Sequence, residues 1–323
     1  MTVAVFVLLL VLSVPIAFVL LGTALAYIEL SGNEVLYASF AQQLFSGIEK
    51  YGLMAIPLFM LAGELMNRGG LIRRLIGLAS IFVSGLRGGL AYINLLTNMM
   101  MASIIGSATA QISIMTQAMV PEMERAGYKR DFAAATTAAG GLLSPIIPPS
   151  MLFVIFGVLG QIAIGELFIA GIVPGLMLTF GFILIVALLG IAREFPKGSW
   201  LTRKEVLRAL VAGLPSTAVP IIIVGGILLG VFSPTESAAA AALAALVIGR
   251  FVHGELDLRE LPDILRRTAL NSTLVLFLIA TANVFGWVII FEEVPQRLTL
   301  WLTELSSDPF VFMLLVNAAL LVI

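Results

Sequence analysis

The 323-residue sequence has no cysteine and a single histidine, His253. Disulfides, thiolate catalysis and Cys- or His-rich metal sites are excluded with them. No G-x-x-x-x-G-K-[ST] run is present, so the chain has no P-loop for ATP. Charge is scarce: 11% of residues are Asp, Glu, Lys or Arg, less than half of the roughly 25% usual in soluble domains. The net charge of −1 offers no basic face to nucleic acid. Hydrophobic residues reach 60%, and mean hydropathy is +1.10. So few charges cannot cover a soluble protein of this size. A soluble enzyme, a disordered chain and a nucleic-acid binder are excluded, and the solvent is largely lipid.

Apolar runs long enough to cross about 30 Å at 1.5 Å per residue lie near 3–28, 51–67, 131–158, 166–192, 210–232, 235–250, 268–291 and 309–323. Ala24-Leu25-Ala26 has the look of a signal-peptide cleavage site, but Met1-Thr2 supplies no basic n-region and the run is too long. It reads as a retained transmembrane helix. Of 18 Lys and Arg residues, all but Lys50 and Arg297 fall in the connections 68–87, 125–130, 193–208 and 250–267. Glu29, Glu34, Glu49, Glu292, Glu293, Glu304 and Asp308 gather on the other side. The positive-inside rule then predicts a cytoplasmic N-terminus, provided that 88–121 enters and leaves on the cytoplasmic side. Segments 29–50 and 194–209 carry apolar residues at roughly helical spacing. For 29–50 an interfacial helix and a partly helical loop both fit; for 194–209 the Lys/Arg-rich face favours an interfacial amphipathic helix.

Stretch 88–121 is apolar but interrupted, with Arg87 and Arg125 at its ends, and it predicts a re-entrant hairpin. Two arms of about 15 residues reach about 22 Å, short of a crossing. The tip, Ser103 to Thr109, is small and polar. Backbone broken at mid-membrane depth is tolerated where it is buried in protein or lines a wet cavity. The first arm would end in free carbonyls, which suit a cation, and the second would begin in free N–H groups, which suit a carboxylate. Small residues that merely let helices pack are the bland alternative, although Asn94, Thr97, Asn98, Gln111, Thr116 and Gln117 add more polar groups than packing needs. A second break, Gly140-Gly141-Leu142-Leu143-Ser144-Pro145-Ile146-Ile147-Pro148-Pro149-Ser150, splits 131–158. Its three prolines leave acceptor carbonyls free, or simply kink the helix.

Phe232-Ser233-Pro234-Thr235-Glu236 reads as a tight turn with a capping box. Glu64 near the end of its span fits two roles equally, an intramembrane functional carboxylate or a partner for Arg68 one turn on. Gly106-Ser107 would need His253 as base for hydrolase chemistry, and that residue lies in a charged loop far along the chain.

At Pro57-Leu58-Phe59-Met60-Leu61-Ala62-Gly63, Gly106-Ser107-Ala108, Pro121-Glu122-Met123-Glu124-Arg125-Ala126-Gly127-Tyr128, Phe132-Ala133-Ala134-Ala135, Pro145-Ile146-Ile147-Pro148-Pro149-Ser150, Leu167-Phe168-Ile169-Ala170-Gly171-Ile172-Val173-Pro174-Gly175 and Pro234-Thr235-Glu236, the chain resembles the large membrane subunit of tripartite ATP-independent periplasmic (TRAP) transporters, the M or DctM-like subunit. The resemblance covers essentially the whole chain.

It implies an all-α integral membrane protein of elevator type, with inverted repeats, a re-entrant hairpin and a broken helix. It also implies a non-enzymatic, Na⁺-coupled carrier of the bacterial inner membrane. A periplasmic binding protein would deliver an organic acid, and a small membrane subunit would brace the large one. The expected division is scaffold helices over 1–87, a first transport half over 88–165, further scaffold over 166–267 and the start of a second half over 268–323. Ser103, Gly106, Ser107, Gly141 and Ser144 are expected to hold Na⁺ through carbonyls and hydroxyls. Ala108, Thr109, Pro148, Pro149 and Ser150 are expected to face the substrate. No other cofactor is implied. Three departures from the family pattern stand out. Ile105 replaces a Ser at the tip, and Leu142 and Ser144 replace a Thr and a Gly in the break. A second hairpin and second broken helix are expected in the family, and the sequence stops at Ile323 before them. The rival expectations are a proton-coupled or tricarboxylate-type permease with Glu64 as coupling group, and a truncated, non-transporting membrane subunit.

Overall fold

The computed structural model describes residues 2–32, 34–192, 195–305 and 308–322, and they are almost all helical. The first helices are α1 (Thr2–Val11), α2 (Ile16–Ser31), α3 (Glu34–Ser46), α4 (Ala55–Arg68) and α5 (Leu71–Val83). The interrupted region forms α6 (Gly89–Ile105), α7 (Ala108–Arg125), α8 (Arg130–Gly141) and α9 (Met151–Gly160). Then come α10 (Ile164–Ala192), α11 (Arg203–Leu228), α12 (Pro234–Val247), α13 (Leu261–Phe291), α14 (Val294–Leu305) and α15 (Pro309–Val322). Among the described residues, four helices are long and apolar enough to cross a membrane, spanning 164–191, 203–228, 234–252 and 258–291. Two compact units result, Met1–Lys50 with Leu274–Ile323, and Tyr51–Thr273.

In the first unit, the run 3–28 is not one helix. Pro15 lacks an N–H and cannot continue a helix begun at Thr2, and Ser13 takes a left-handed φ of 56°. The chain turns over Leu12–Pro15, with Val14 N–H donating to Leu9 O, and α1 folds back so that Leu9 lies against Gly22. The single crossing on which the cytoplasmic N-terminus was predicted is therefore absent in that form. Segment 29–50 is helical as α3, whose last turn is held by Asn283 Nδ2 donating to Gln43 O at 2.7 Å. Ala24, Val284 and Val288 form the core here, beneath Tyr27, Phe40, Leu44 and Trp287.

In the second unit, α4 packs on α12 through small residues. Ala238, Ala241, Ala242 and Ala245 are all buried, so the two backbones approach closely. Past their ends Gly69 meets Gly249, where a Cβ on Gly69 would lie 2.9 Å from the Gly249 Cα. The basic stretch after α4 is not a plain loop: Leu71, Ile72, Leu75, Leu78 and Ala79 bury one face of α5, and Leu78 fills the space opposite Gly213 of α11. The capping box at the start of α12 is present, with Ser233 accepting from Glu236 N–H and Glu236 accepting from Ser233 N–H.

Segment 194–209 is not an interfacial helix. Residues 195–202 are irregular because Pro196 and Gly198 interrupt any helical run and the Thr202–Glu205 capping box starts α11 at Arg203. Glu194 and Arg193 lie outside the described residues. Phe195 instead inserts between Tyr128 and Phe132, with ring centroids at 5.4 and 4.6 Å.

Glu64 pairs with Arg68 at 3.6 Å, and Arg68 also reaches Glu260 at 3.2 Å and Asp263 at 3.4 Å. One guanidinium thus ties α4 to the start of α13. His253 follows a π-helical turn at Ile248–Val252 and meets Ser216 Oγ at 3.1 Å. Burial, then Arg74, hold its pKa below the usual histidine value, with Glu255 opposing.

Residues 87 and 125 bracket a hairpin whose arms fold back on each other. Cysteines placed at both positions of this cysteine-free chain are expected to react with an impermeant maleimide from the same membrane side. Labelling from opposite sides would show that 88–121 crosses.

Candidate functional site

The hairpin tip is a two-residue break. Gly106 ends α6 in the left-handed region at φ 62°, a conformation that glycine adopts without penalty. Ser107 precedes α7 in an extended conformation, and its side chain does not cap the helix. The first N–H groups of α7 therefore keep donor capacity, and the dipole end is positive. By contrast, Ser150 does cap α9: its Oγ accepts from Phe153 N–H at 3.4 Å and donates to Pro145 O at 2.7 Å.

The tip lies directly on the second break. A Cβ on Gly106 would sit 3.2 Å from the Met151 nitrogen and 3.3 Å from the Pro149 carbonyl oxygen. The break in turn is cradled by α10. Cβ atoms on Gly171 and Gly175, one helical turn apart, would lie 2.6 Å from Ile146 O and 2.5 Å from Ile147 Cγ1. Irregular backbone is thereby buried against protein rather than lipid.

A directional chain of side-chain hydrogen bonds joins the arms to α8. Gln111 Nε2 donates to Asn98 Oδ1 at 2.9 Å and to Asn98 O at 2.8 Å. Asn98 Nδ2 donates to Asn94 Oδ1 at 2.8 Å, and Asn94 Nδ2 to Thr137 Oγ1 at 2.7 Å. Thr137 closes the chain on Ala133 O at 2.8 Å. Asn94, Asn98, Gln111 and Thr137 are all fully buried. Three buried oxygens in this region have no hydrogen-bond partner: Gln111 Oε1, Thr97 Oγ1 and Ser144 Oγ. Such groups cost about 1–3 kcal/mol each unless water, a donor or a cation meets them.

The expected site residues fall into distinct surroundings. Gly106 and Pro149 meet. Ser103 and Pro148 line one mainly apolar cavity of about 290 Å³ with Met99, Ile172 and Thr217. Gly141 packs on Ile112 of the second arm, and the Ser144 hydroxyl is buried and open to a partner. Ser107 and Thr109 are partly or fully exposed, their hydroxyls 3.2 Å apart at the start of α7 beside Ala108. Ser150 spends its hydroxyl on the break itself. The amide chain was only partly legible: Asn94, Asn98 and Gln111 stood out as excess polarity, whereas Thr137 did not. The i, i+4 spacing of Asn94 and Asn98 was the available signal.

A family model for the DctM component of the tripartite ATP-independent periplasmic transporter matches residues 3–323. The chain belongs to this family. The sialic acid TRAP transporter large permease protein SiaM of Vibrio cholerae is 34% identical over 310 residues, covering 95% of this chain and 72% of that protein. The 2,3-diketo-L-gulonate TRAP transporter large permease protein YiaN of Escherichia coli is 36% identical over 315 residues, covering 97% and 73%. The C4-dicarboxylate TRAP transporter large permease protein DctM of Pseudomonas aeruginosa is 37% identical over 286 residues, covering 88% and 66%. A multi-pass membrane permease of the TRAP type accounts for the apolar helices, and no enzyme family is indicated.

In this TRAP permease chain, Asn98 stands between both arms and α8. Asn98→Ala leaves Gln111 Nε2 and Asn94 Oδ1 short of partners, and is expected to lower stability by about 2–4 kcal/mol. Gly140→Ala places a Cβ 2.7 Å from Asn98 Nδ2 and is expected to cost about 1–3 kcal/mol. Thermal unfolding in detergent, with the exposed Leu142→Ala as reference, measures both. Indistinguishable melting of all three would show that the amide chain does not stabilise the fold.

Proposed function

We propose that this chain is the large permease subunit of a Na⁺-coupled secondary transporter that imports an organic acid across the bacterial inner membrane. The single observation carrying the reading is the seating of the Gly106 tip on Pro149–Met151. It puts the carbonyl end of α6 and the uncapped N-terminus of α7 beside the 149–151 end of the break. Carbonyl and hydroxyl oxygens of Ser103, Gly106, Ser107, Gly141 and Ser144 would hold Na⁺, which prefers hard oxygen ligands. The unpaired Ser144 Oγ fits that role. The free N–H groups at Ala108 and Thr109 would take the carboxylate, with Pro148, Pro149 and Ser150 shaping the opposite wall.

The substrates named for the relatives, sialic acid, 2,3-diketo-L-gulonate and C4-dicarboxylates, support an organic acid. Membership of the family supports a small membrane subunit and a periplasmic binding protein as partners. An elevator motion, in which two inverted repeats carry the site past scaffold helices, is part of the same proposal, with the basic connections on the cytoplasmic side.

Uptake is measured in proteoliposomes containing this permease, the small subunit and the binding protein. Replacing external Na⁺ by choline is expected to abolish uptake. Ser144→Ala and Ser107→Ala are each expected to raise the Na⁺ concentration for half-maximal rate about tenfold, the loss of about 1.4 kcal/mol of binding. Uptake indifferent to Na⁺ would overturn the coupling.

Proton coupling through Glu64 is disfavoured by its ion pair with Arg68. Glu64→Gln is therefore expected to leave Na⁺-driven uptake within about fivefold of wild type, since Arg68 keeps Glu260 and Asp263 and one partly exposed ion pair contributes about 1 kcal/mol. Loss of uptake in this variant, with a collapse of its pH dependence, would restore the proton-coupled reading.

A further inference from the structure

Away from the hairpin, the unit built on α1, α2 and the second part of α13 encloses a cavity of about 400 Å³. Phe6, Phe285 and Ile289 supply much of its apolar wall. Four polar residues also line it: Thr2, Thr23, Tyr27 and Glu292. Thr23 is 2% exposed and its Oγ1 has no partner. Tyr27 O–H donates to the Glu292 carboxylate. Among the described residues no Lys, Arg or His forms an ion pair with Glu292. The partly buried carboxylate thus has a neutral hydroxyl donor but no cationic partner among the described residues, and the buried Thr23 hydroxyl has no partner at all, an arrangement that is costly while the cavity stays empty.

The register orders these groups by depth. Thr23 and Tyr27 are four residues apart on α2, so they share a face one turn apart. Ile289 and Phe285 descend along α13 below Glu292. The apolar part of α13 from Thr268 to Phe291 is about 36 Å long at 1.5 Å per residue, enough to cross the hydrocarbon core of about 30 Å. Glu292, the next residue, therefore stands at headgroup level. Below it, one turn or about 5 Å deeper, comes the Thr23 hydroxyl, and deeper still the paired rings of Phe6 and Phe285, 5.8 Å apart.

We infer that this cavity binds one amine-headed, ester-linked membrane lipid of the phosphatidylethanolamine type. The primary ammonium meets Glu292, Thr23 O–H donates to an ester carbonyl, and an acyl chain lies along Phe285 and Ile289. An ammonium supplies the missing charge and N–H donors together. Water alone would satisfy the polar groups but leave the apolar wall wet, and a hydrocarbon alone would leave the carboxylate and hydroxyl unmet.

The test is lipid binding to the purified chain in detergent, read by native mass spectrometry and by thermal shift. Palmitoyl-oleoyl phosphatidylethanolamine is expected to bind one molecule per chain, about tenfold tighter than the matching phosphatidylglycerol, since a charge-assisted contact is lost in the latter. The phosphatidylcholine analogue, which has charge but no N–H, is expected to fall between them. Glu292→Gln is expected to erase the preference for ethanolamine over glycerol. Thr23→Val is expected to weaken both lipids equally, and Ile289→Trp to block both by filling the cavity. Equal binding of the three lipids to wild type would overturn the proposal. So would an unchanged preference in Glu292→Gln, or displacement of the lipid by soluble phosphoethanolamine, which would mark a headgroup-only site.

Discussion

Hydrocarbon offers no hydrogen bonds to a helix that ends inside it, and the structure around the hairpin follows from that constraint. Two helical ladders stop short, at Gly106 and at Gly141, and their loose ends must be met by protein or by a ligand. The molecule meets them by seating one break on the other and by laying both against glycine-lined helix faces. Gly171 and Gly175 on α10 let the backbone of the break come within contact distance, and Gly140 and Gly141 on α8 make room for the Asn98 and Ile112 side chains. The buried chain Gln111–Asn98–Asn94–Thr137 then holds the two arms and α8 in one register. Each amide donates toward the base of the hairpin. The acceptor left over, Gln111 Oε1, is therefore at the tip end, one turn into α7.

That polarity has an electrostatic consequence. A hydrogen-bonded chain in low dielectric is cooperative, so a cation or donor at the open end strengthens every bond behind it. The base of the hairpin is fastened differently, by Tyr92, Leu95, Met123, Tyr128 and Phe195 in one apolar cluster. The hairpin thus carries an apolar anchor at its base and a polar strut toward its tip.

Charge is used sparingly and in one style. Arg68 collects Glu64, Glu260 and Asp263, and Arg74 holds Glu255 at 2.9 Å, beside the close Gly69–Gly249 contact. Of the 18 basic residues, 16 fall in the stretches 68–87, 125–130, 193–208 and 250–267, most of them near helix ends. The carboxylate at Glu64, ambiguous as a functional group in isolation, takes its meaning from the residues that α13 brings to the same arginine.

Much of this was legible in order along the chain. Membrane class followed from composition, the hairpin from basic flanks around an interrupted apolar run, the split helix from three prolines, and the start of α12 from Ser233 and Glu236. All are local signals: hydropathy, missing donors and caps act within a few residues. The misreadings were equally local. Hydropathy alone fused α1 and α2 across Pro15, and apolar spacing alone made a helix of 194–209 despite Pro196 and Gly198. Other features needed the tertiary structure, because they depend on residues far apart in sequence. Thr137 acquires its role only when α8 lies beside α6. Glycines 171 and 175 matter only because the break rests on them. Thr23 and Glu292 come to line one space only when α2 and α13 pack together. Sequence by itself determined where helices must end; packing decided what meets those ends.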